Sequence, residues 1–415
     1  MRSAPARPRL AAAVLAVVAA LLLVLPSAAA AAGPAKPNIT AETAIVIDGR
    51  TGETLYARRP NRRHAIASTT KIVTALVARE GADLGDVFTA SDYKPAAIES
   101  QLGLKHGERL TLRDLMRAML LPSANDAAIT IAEGVSGTRA SFVESMNNKA
   151  RQLGLKNTSF ANPIGLDDPD NYSTARDLAM AARALLKDPA LAKIVDLPRA
   201  RLASGAKPRT VVNRNRLVQN YPWVSGVKTG HTRQAGYVLV GSATRDGVRV
   251  VSVVTGEPGE GARDADSLAL LRYGIAQFVR RRVVDAKQVV AQAAVKYHDE
   301  DSIDIVPARD ASLTIRRGQN VRKLIEAPDR LEGPMPRGKE VGVLQVSYRN
   351  RVVKRIPLVT DEPVRGATTW NKVAASLGGS GAPLAFLAFV LIAAGVIVRA
   401  RRTRRPGRQR VRGGS

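Results

Sequence analysis

The chain has 415 residues, 63 Lys and Arg against 36 Asp and Glu, a formal net charge of +27, and no cysteine. That excludes disulfides, thiolate metal sites and cysteine nucleophiles, and since His64, His106, His231 and His298 form no i, i+4 pair, neither a metal nor another cofactor is expected. The length exceeds one ordinary core and predicts two domains with appendages.

Residues 1–32 carry Arg2, Arg7 and Arg9, an apolar run from Leu10 to Leu25, and then the small-residue stretch PSAAAAAG. This is the pattern of an export signal; an uncleaved anchor differs from it mainly in apolar length and cleavage site. Residues 43–57, TAIVIDGRTGETLYA, read as a hairpin around Asp-Gly. From Thr70 to Arg79 the spacing of Ile72, Val73, Leu76 and Val77 predicts a helix with one apolar stripe. Residues 111–121 and 126–135 predict two more helices. Pro122 disfavours helix at Leu121, so Ser123 to Asn125 are expected in the connecting loop. Residues 236–256 are two strands about an Arg-Asp-Gly turn, and 267–279 a closing helix. Hairpin, helices, hairpin, helix is an α+β layout whose terminal elements can share one sheet.

Beyond about residue 281 short β-rich runs continue to residue 360 and predict a small all-β domain. Residues 361–381 read as a linker, and 382–398 are 17 apolar residues, at the lower limit for a transmembrane helix. The tail, 399–415, has eight arginines and no acid, which predicts a cytoplasmic tail and a body outside the cell membrane. With the eight tail arginines and the three near the start set aside, a charge of +16 remains. A basic body outside a membrane meets anionic head groups or wall polymers, and aromatics at 4% give no stacking pattern for nucleic acid.

Ser-x-x-Lys occurs four times, at Ser68/Lys71, Ser91/Lys94, Ser204/Lys207 and Ser225/Lys228, so the pattern alone selects nothing. Lys94 and Lys207 precede proline, and Lys228 begins a different motif, Lys228-Thr229-Gly230. Ser123-Ala-Asn125 lies between helices, whereas the similar Ser145-Met-Asn147 falls within one. Ser68-x-x-Lys71 at a helix start, Ser123-x-Asn125 in an interhelical loop and Lys228-Thr229-Gly230 on a strand follow the order of the serine penicillin-interacting enzymes. A serine at a helix start sits where backbone N–H groups stabilise developing negative charge, and Lys71 one turn on faces the same side. To act as a base, Lys71 must be neutral, which requires desolvation and a neighbouring cation such as Lys228. Ser123 can relay a proton between Lys71 and the leaving group, and Asn125 can hold the substrate backbone and Lys71. Read alone, Ser123 and Asn125 are also a polar turn with an N-cap.

The stretches IASTTK, LPSANDAA, FANPIGL, YSTARDLA, NRN and GVKTGHT resemble the D-alanyl-D-alanine carboxypeptidases among the low-molecular-mass penicillin-binding proteins, across about residues 38 to 280. The resemblance implies a β-lactamase/DD-peptidase-like domain at 33–280, with a looser match at 281–360. It implies that Ser68 is acylated with loss of the terminal D-alanine of a peptidoglycan stem peptide, and that β-lactams inhibit covalently. It places the oxyanion hole at the backbone N–H groups of Ser68 and His231. Thr229 and Arg263 fit the carboxylate-binding positions, and Arg214 a supporting basic one. The His231 side chain is read as shaping the cleft. Arg263, in GEGARDAD, has the competing reading of a solvated loop arginine paired with Asp264 or Asp266. Ser-Ala-Asn stands where Ser-Gly-Asn is frequent, which leaves the chemistry intact. A β-lactamase is the alternative enzyme, though no Glu-x-x-Leu-Asn motif occurs between Asn125 and Lys228. A non-catalytic penicillin sensor or scaffold is the alternative outside enzymes.

Overall fold

Residues 43–58 form the expected hairpin, β1 (Thr43–Asp48) and β2 (Thr54–Arg58), whose turn is closed by Gly52 N donating to Asp48 O at 2.7 Å. In this computed structural model residues 33–376 and 382–403 are described, so the expected signal at 1–32, residues 377–381 of the expected linker and residues 404–415 of the arginine tail lie outside the described residues. The second hairpin follows at the far end of the same unit. Its strands β4 (Gly236–Arg245) and β5 (Val248–Glu257) are joined by β3 (Val224–Thr232) in one antiparallel sheet of order β2-β1-β5-β4-β3. Terminal elements of the unit therefore share a sheet, and β3, which carries Lys228-Thr229-Gly230, is its open edge.

Both faces of this sheet are covered, which explains why all six residues of β1 are buried and why Ala44 to Ile47 read as a continuous apolar run. Ile45, Ile47, Val251 and Val253 join a helical core that contains α1 (Lys71–Gly81), α2 (Leu112–Leu120), α3 (Asn125–Ser136), α4 (Arg139–Gln152), α5 (Ala175–Leu185) and α6 (Pro189–Val195). On the other face α7 (Glu260–Ala276) packs against Val46 and Val250, close enough that a Cβ on Gly274 would stand 2.7 Å from Val46 Cγ1.

Two helices differ from expectation. α1 is buried around its whole circumference from Lys71 to Ala78, not along one stripe, because alanine and threonine fill the positions between the large side chains. The helix that carries Lys71 is thus the middle of the core. α7 starts at Glu260 rather than 267, so GEGARDAD, expected as a loop, is largely its first two turns and Arg263 is a buried helical residue. Glycine and aspartate lower helix propensity there and hid the periodicity. α2 stops where Pro122 requires, with Leu121 as its C-cap and the side chain of Thr111 capping Asp114 N at the other end.

The chain divides into two compact units at Gln277/Phe278, three residues before the expected boundary. The second unit is the all-β domain: a six-stranded sheet in the order Arg322–Glu326, Glu340–Tyr348, Arg351–Thr360, His298–Pro307, Ala291–Val295, Arg330–Leu331. A two-stranded ribbon, Phe278–Val284 with Ala311–Arg316, completes it over a core that includes Ala293, Ile305, Leu344, Val346, Ile356 and Leu358. Residues 382–398, expected to span a bilayer, lie in α8 (Ala382–Thr403). That expectation is not supported, because among the described residues no helix is long and apolar enough to cross a membrane. At 1.5 Å per residue the apolar stretch rises about 26 Å against a hydrocarbon core of about 30 Å.

Candidate active site

Ser68 lies in a 3-10 turn, Ala67–Thr70, that runs directly into α1 and so stacks Lys71 one turn above it. Ala67 has φ +49°, a left-handed value that a β-carbon disfavours and that surrounding contacts must hold. Two glycines supply those contacts. Gly165, at φ +89°, lies so close that a Cβ would be 2.0 Å from Ala67 O, and a Cβ on Gly230 would be 3.2 Å from Ser68 N. The edge strand β3 thus meets the nucleophile turn backbone to backbone, an approach that a β-carbon at Gly230 would crowd.

Lys71 Nζ is fully buried and donates to Ser68 Oγ at 2.9 Å, Asn125 Oδ1 at 2.6 Å and Ile164 O at 2.6 Å. Three partners match the three hydrogens of an ammonium. A neutral amine keeps two donors, which suit the two shorter bonds to obligate acceptors, and turns its lone pair toward the Ser68 hydroxyl. Burial is the largest influence on Lys71 and lowers its pKa to about 7; Glu99 and Asp126 oppose this, and Arg214 reinforces it. The depressing cation is therefore Arg214, where the sequence suggested Lys228. Lys228 is itself buried, and its pKa is pushed well below the usual lysine value by burial and by Lys71, Arg214 and Arg263.

Ser123 stands in the expected loop with φ +71°, and its Oγ accepts from Lys228 Nζ at 2.9 Å, which also donates to Thr229 O at 2.9 Å. The sequence expectation tied Ser123 to Lys71; the observed hydrogen bond ties it to Lys228. Asn125 begins α3, its backbone N donating to Ser100 O at 2.7 Å. Ser68, Lys71, Ser123, Asn125, Lys228, Thr229 and Gly230 are thus brought together by three separate segments of chain. Ser145 and Asn147 are not part of it, since Asn147 brackets the backbone of Phe160 at 2.9 and 3.0 Å.

His231 is exposed on β3 and stacks on Tyr237 with ring centroids 4.0 Å apart. Arg263 Cζ lies 5.9 Å from the centroid of the Tyr237 ring, and Arg263 pairs with Asp264 Oδ1 through Nε at 2.9 Å. The Asp264 partner of the competing reading is therefore present, but the arginine is 2% exposed rather than solvated. Its Nη2, also 2.9 Å from Asp264 Oδ1, has no hydrogen-bond geometry to any described acceptor, leaving a buried donor unused. Arg214 is exposed, while its neighbours Asn213 and Asn215 fix the chain by bonding to Val195 O, Leu197 O and Gly226 O.

Sequence reasoning missed four contributors. The carbonyl of Ile164 becomes a ligand of Lys71 only because Asn162 Oδ1 gathers the N–H groups of Ile164, Gly165 and Leu166. Asp126 accepts from the N–H groups of Leu102, Gly103 and Leu104 and so pins the segment that bears Glu99, which is joined to Tyr93 and Asn125. Asp126, adjacent to the second motif, and Asn162 and Ile164, within FANPIGL, lay in stretches that the sequence singled out, whereas Glu99 did not.

Residues 30–259 match the profile of the D-alanyl-D-alanine carboxypeptidase family, and residues 278–365 that of the penicillin-binding protein 5 C-terminal domain. The chain is 34% identical over 336 residues to the D-alanyl-D-alanine carboxypeptidase DacF of Bacillus subtilis, covering 79% of this chain and 86% of that one. It is 30% identical over 363 residues to DacA of Escherichia coli, covering 82% and 87%. Among solved structures, penicillin binding protein 5 from Haemophilus influenzae aligns with TM-score 0.57 and 32% identity, over 81% of this chain and 100% of that one. A Streptomyces DD-transpeptidase aligns with TM-score 0.56 and 34% identity over 59% and 100%.

Proposed function

The chain belongs to the D-alanyl-D-alanine carboxypeptidase family, and from that membership we propose how its own residues divide the reaction. The protein is a serine peptidase of peptidoglycan that removes the terminal D-alanine from stem peptides and binds penicillin. Ser68 Oγ attacks the carbonyl of the penultimate D-alanine, and its proton passes to Lys71. The backbone N–H groups of Ser68 and His231 receive the oxyanion, in line with the close approach of Gly230 to Ser68 N. Ser123, held by Lys228, gives its hydroxyl proton to the departing amine and takes the Ser68 proton from Lys71 in its place. Water then hydrolyses the ester on Ser68. The observation that carries this assignment is the Lys71 amine, fully buried and 2.9 Å from Ser68 Oγ with its two other bonds made to carbonyl oxygens.

The test is to label the protein with a fluorescent penicillin and follow label loss beside D-alanine release from a pentapeptide. Stable label with D-alanine release is expected. Rapid label loss would indicate a β-lactamase, and stable label without release a sensor.

Arg263 and Thr229 are assigned the free carboxylate of the substrate. The unused Nη2 donor supports this, since a charge-assisted bond to a carboxylate would satisfy it. Arg263→Ala is expected to lower kcat/KM about 10- to 100-fold on a peptide ending in free D-Ala-D-Ala and much less on the same peptide amidated. Equal losses on both would remove the assignment.

We also propose that the protein is held at the outer face of the cell membrane by α8, with its basic tail on the cytoplasmic side. In support, Leu387, Phe389, Leu391, Ile392, Val396 and Ile397 are each at least 50% exposed, a surface that water does not favour. Local thinning of the bilayer accommodates a short apolar stretch at modest cost. Removing residues 382–415 should move the enzyme from the membrane to the soluble fraction with its peptidase activity unchanged. Retention of the shortened chain in the membrane would exclude α8 as the anchor.

A further inference from the structure

We propose that Glu99 is a positioning residue of this reaction: its carboxylate holds the Asn125 amide in the orientation that serves Lys71 and supplies the counter-charge for Lys71 when that lysine carries the proton of Ser68. The inference rests on Ser68 and Lys71 being nucleophile and base.

Glu99 lies outside helices and strands, in the segment between Thr89 and Arg109, yet three donors converge on it. Ala96 N reaches Oε1 at 3.1 Å, while Tyr93 Oη and Asn125 Nδ2 reach Oε2 at 2.5 and 2.6 Å. The segment is tied down on its other side by Ser100 O, which accepts from Asn125 N, and by the bonds from Leu102, Gly103 and Leu104 to Asp126. An amide has a donating end and an accepting end. Asn125 turns Oδ1 to Lys71 Nζ at 2.6 Å and Nδ2 to Glu99, an arrangement in which both short contacts are favourable. Rotating the amide by half a turn would set its NH2 against the lysine and its carbonyl against the carboxylate, and both contacts would become repulsive. Glu99 therefore selects the rotamer, and the second Nδ2 hydrogen stays available for a substrate carbonyl.

Burial pushes the Glu99 carboxyl up, but the bonds from Tyr93, Asn125 and Ala96 and the charge of Lys71 outweigh it and leave its pKa lowered, so it is ionised at neutral pH. The charged groups facing Lys71 are Glu99 from this segment, Asp126 from α3, Arg214 from the segment after α6, and Lys228 from β3. Of these, Glu99 is the largest influence opposing the burial of Lys71.

Glu99→Gln keeps an acceptor for Tyr93 and Asn125 and removes the charge; Glu99→Ala removes both. The pH profile of kcat/KM for D-alanine release separates the two contributions. For Glu99→Gln the acidic limb should move to lower pH by about one unit, since protonated Lys71 loses its counter-charge, while the plateau stays near that of the parent. For Glu99→Ala the limb should move likewise and the plateau fall about 10- to 100-fold as the amide loses its fixed orientation. Fluorescent-penicillin stoichiometry shows that each variant is folded. An unmoved limb in Glu99→Gln at full labelling would overturn the charge role, and a parental plateau in Glu99→Ala the positioning role. Should Glu99→Ala not fold, the limb of Glu99→Gln decides. A parent that neither labels nor releases D-alanine would instead overturn the reading of Ser68, and this inference with it.

Discussion

Ser68→Ala is expected to lose all covalent penicillin labelling and to reduce D-alanine release by at least about 10⁴-fold, since no other group takes over the acyl bond. The loss should be chemical and not a loss of fold. The 3-10 turn has no side-chain cap, and among the described residues the Ser68 hydroxyl bonds to Lys71 Nζ at 2.9 Å and Ile164 O at 3.5 Å. Removing it costs about 1 kcal/mol, one hydrogen bond, and lowers the melting temperature by a few degrees at most. Intact-mass measurement after incubation with penicillin checks this directly. The parent should gain one acyl adduct, localised to the peptide containing Ser68, and the variant none. An adduct on Ser68→Ala, for example on Ser123, would displace the nucleophile to that residue.

What the sequence disclosed about this site depended on how local each relation is. Ser68 and Lys71 are one turn apart on a continuous run, so their facing is legible from spacing alone, and Pro122 announces the loop that bears Ser123 and Asn125. The shared sheet was legible as well, because hairpins at 43–58 and 236–257 are each local and only one pairing, β1 with β5, is long-range. Relations made by irregular backbone were not. Ile164 serves Lys71 through its carbonyl, which every residue possesses, so no residue type marks it. Glu99 is one acid among 36 and acquires meaning only when Asp126 folds its segment against α3. Arg263 was misplaced on a loop because Gly261 and two aspartates mask the first turns of α7. Electrostatic roles were the least legible: Arg214 is the cation that lowers the pKa of Lys71, while Lys228 is itself buried with its own pKa lowered, and no local pattern marks that difference.

Lys71 should impose a pH signature on both activity and stability, each rising with pH. As the base it works when neutral, so kcat/KM should rise with pH through about 7 and level off above it; Lys71→Met should be nearly as inactive as Ser68→Ala, because nucleophile and base act as one unit. Stability follows from linkage. In the unfolded chain Lys71 binds its proton up to about pH 10.5, whereas in the folded protein burial releases it above about 7. Between those values the unfolded state holds more protons, so raising the pH favours the fold, by at most about 1.4 kcal/mol per pH unit from this group. Below about pH 7 both states are protonated and the full penalty of burying the ammonium is present. Lys71→Met has no such group. It also leaves Asn125 Oδ1 and Ile164 O without their donor, but that cost is independent of pH and cannot produce a slope. Denaturant unfolding of both proteins at pH 7.5, 8.5 and 9.5 should therefore show the stability difference, parent minus variant, increasing at each step. A difference that is flat across this range would mean that Lys71 is still protonated in the fold, and a neutral Lys71 could then no longer be the base that takes the Ser68 proton.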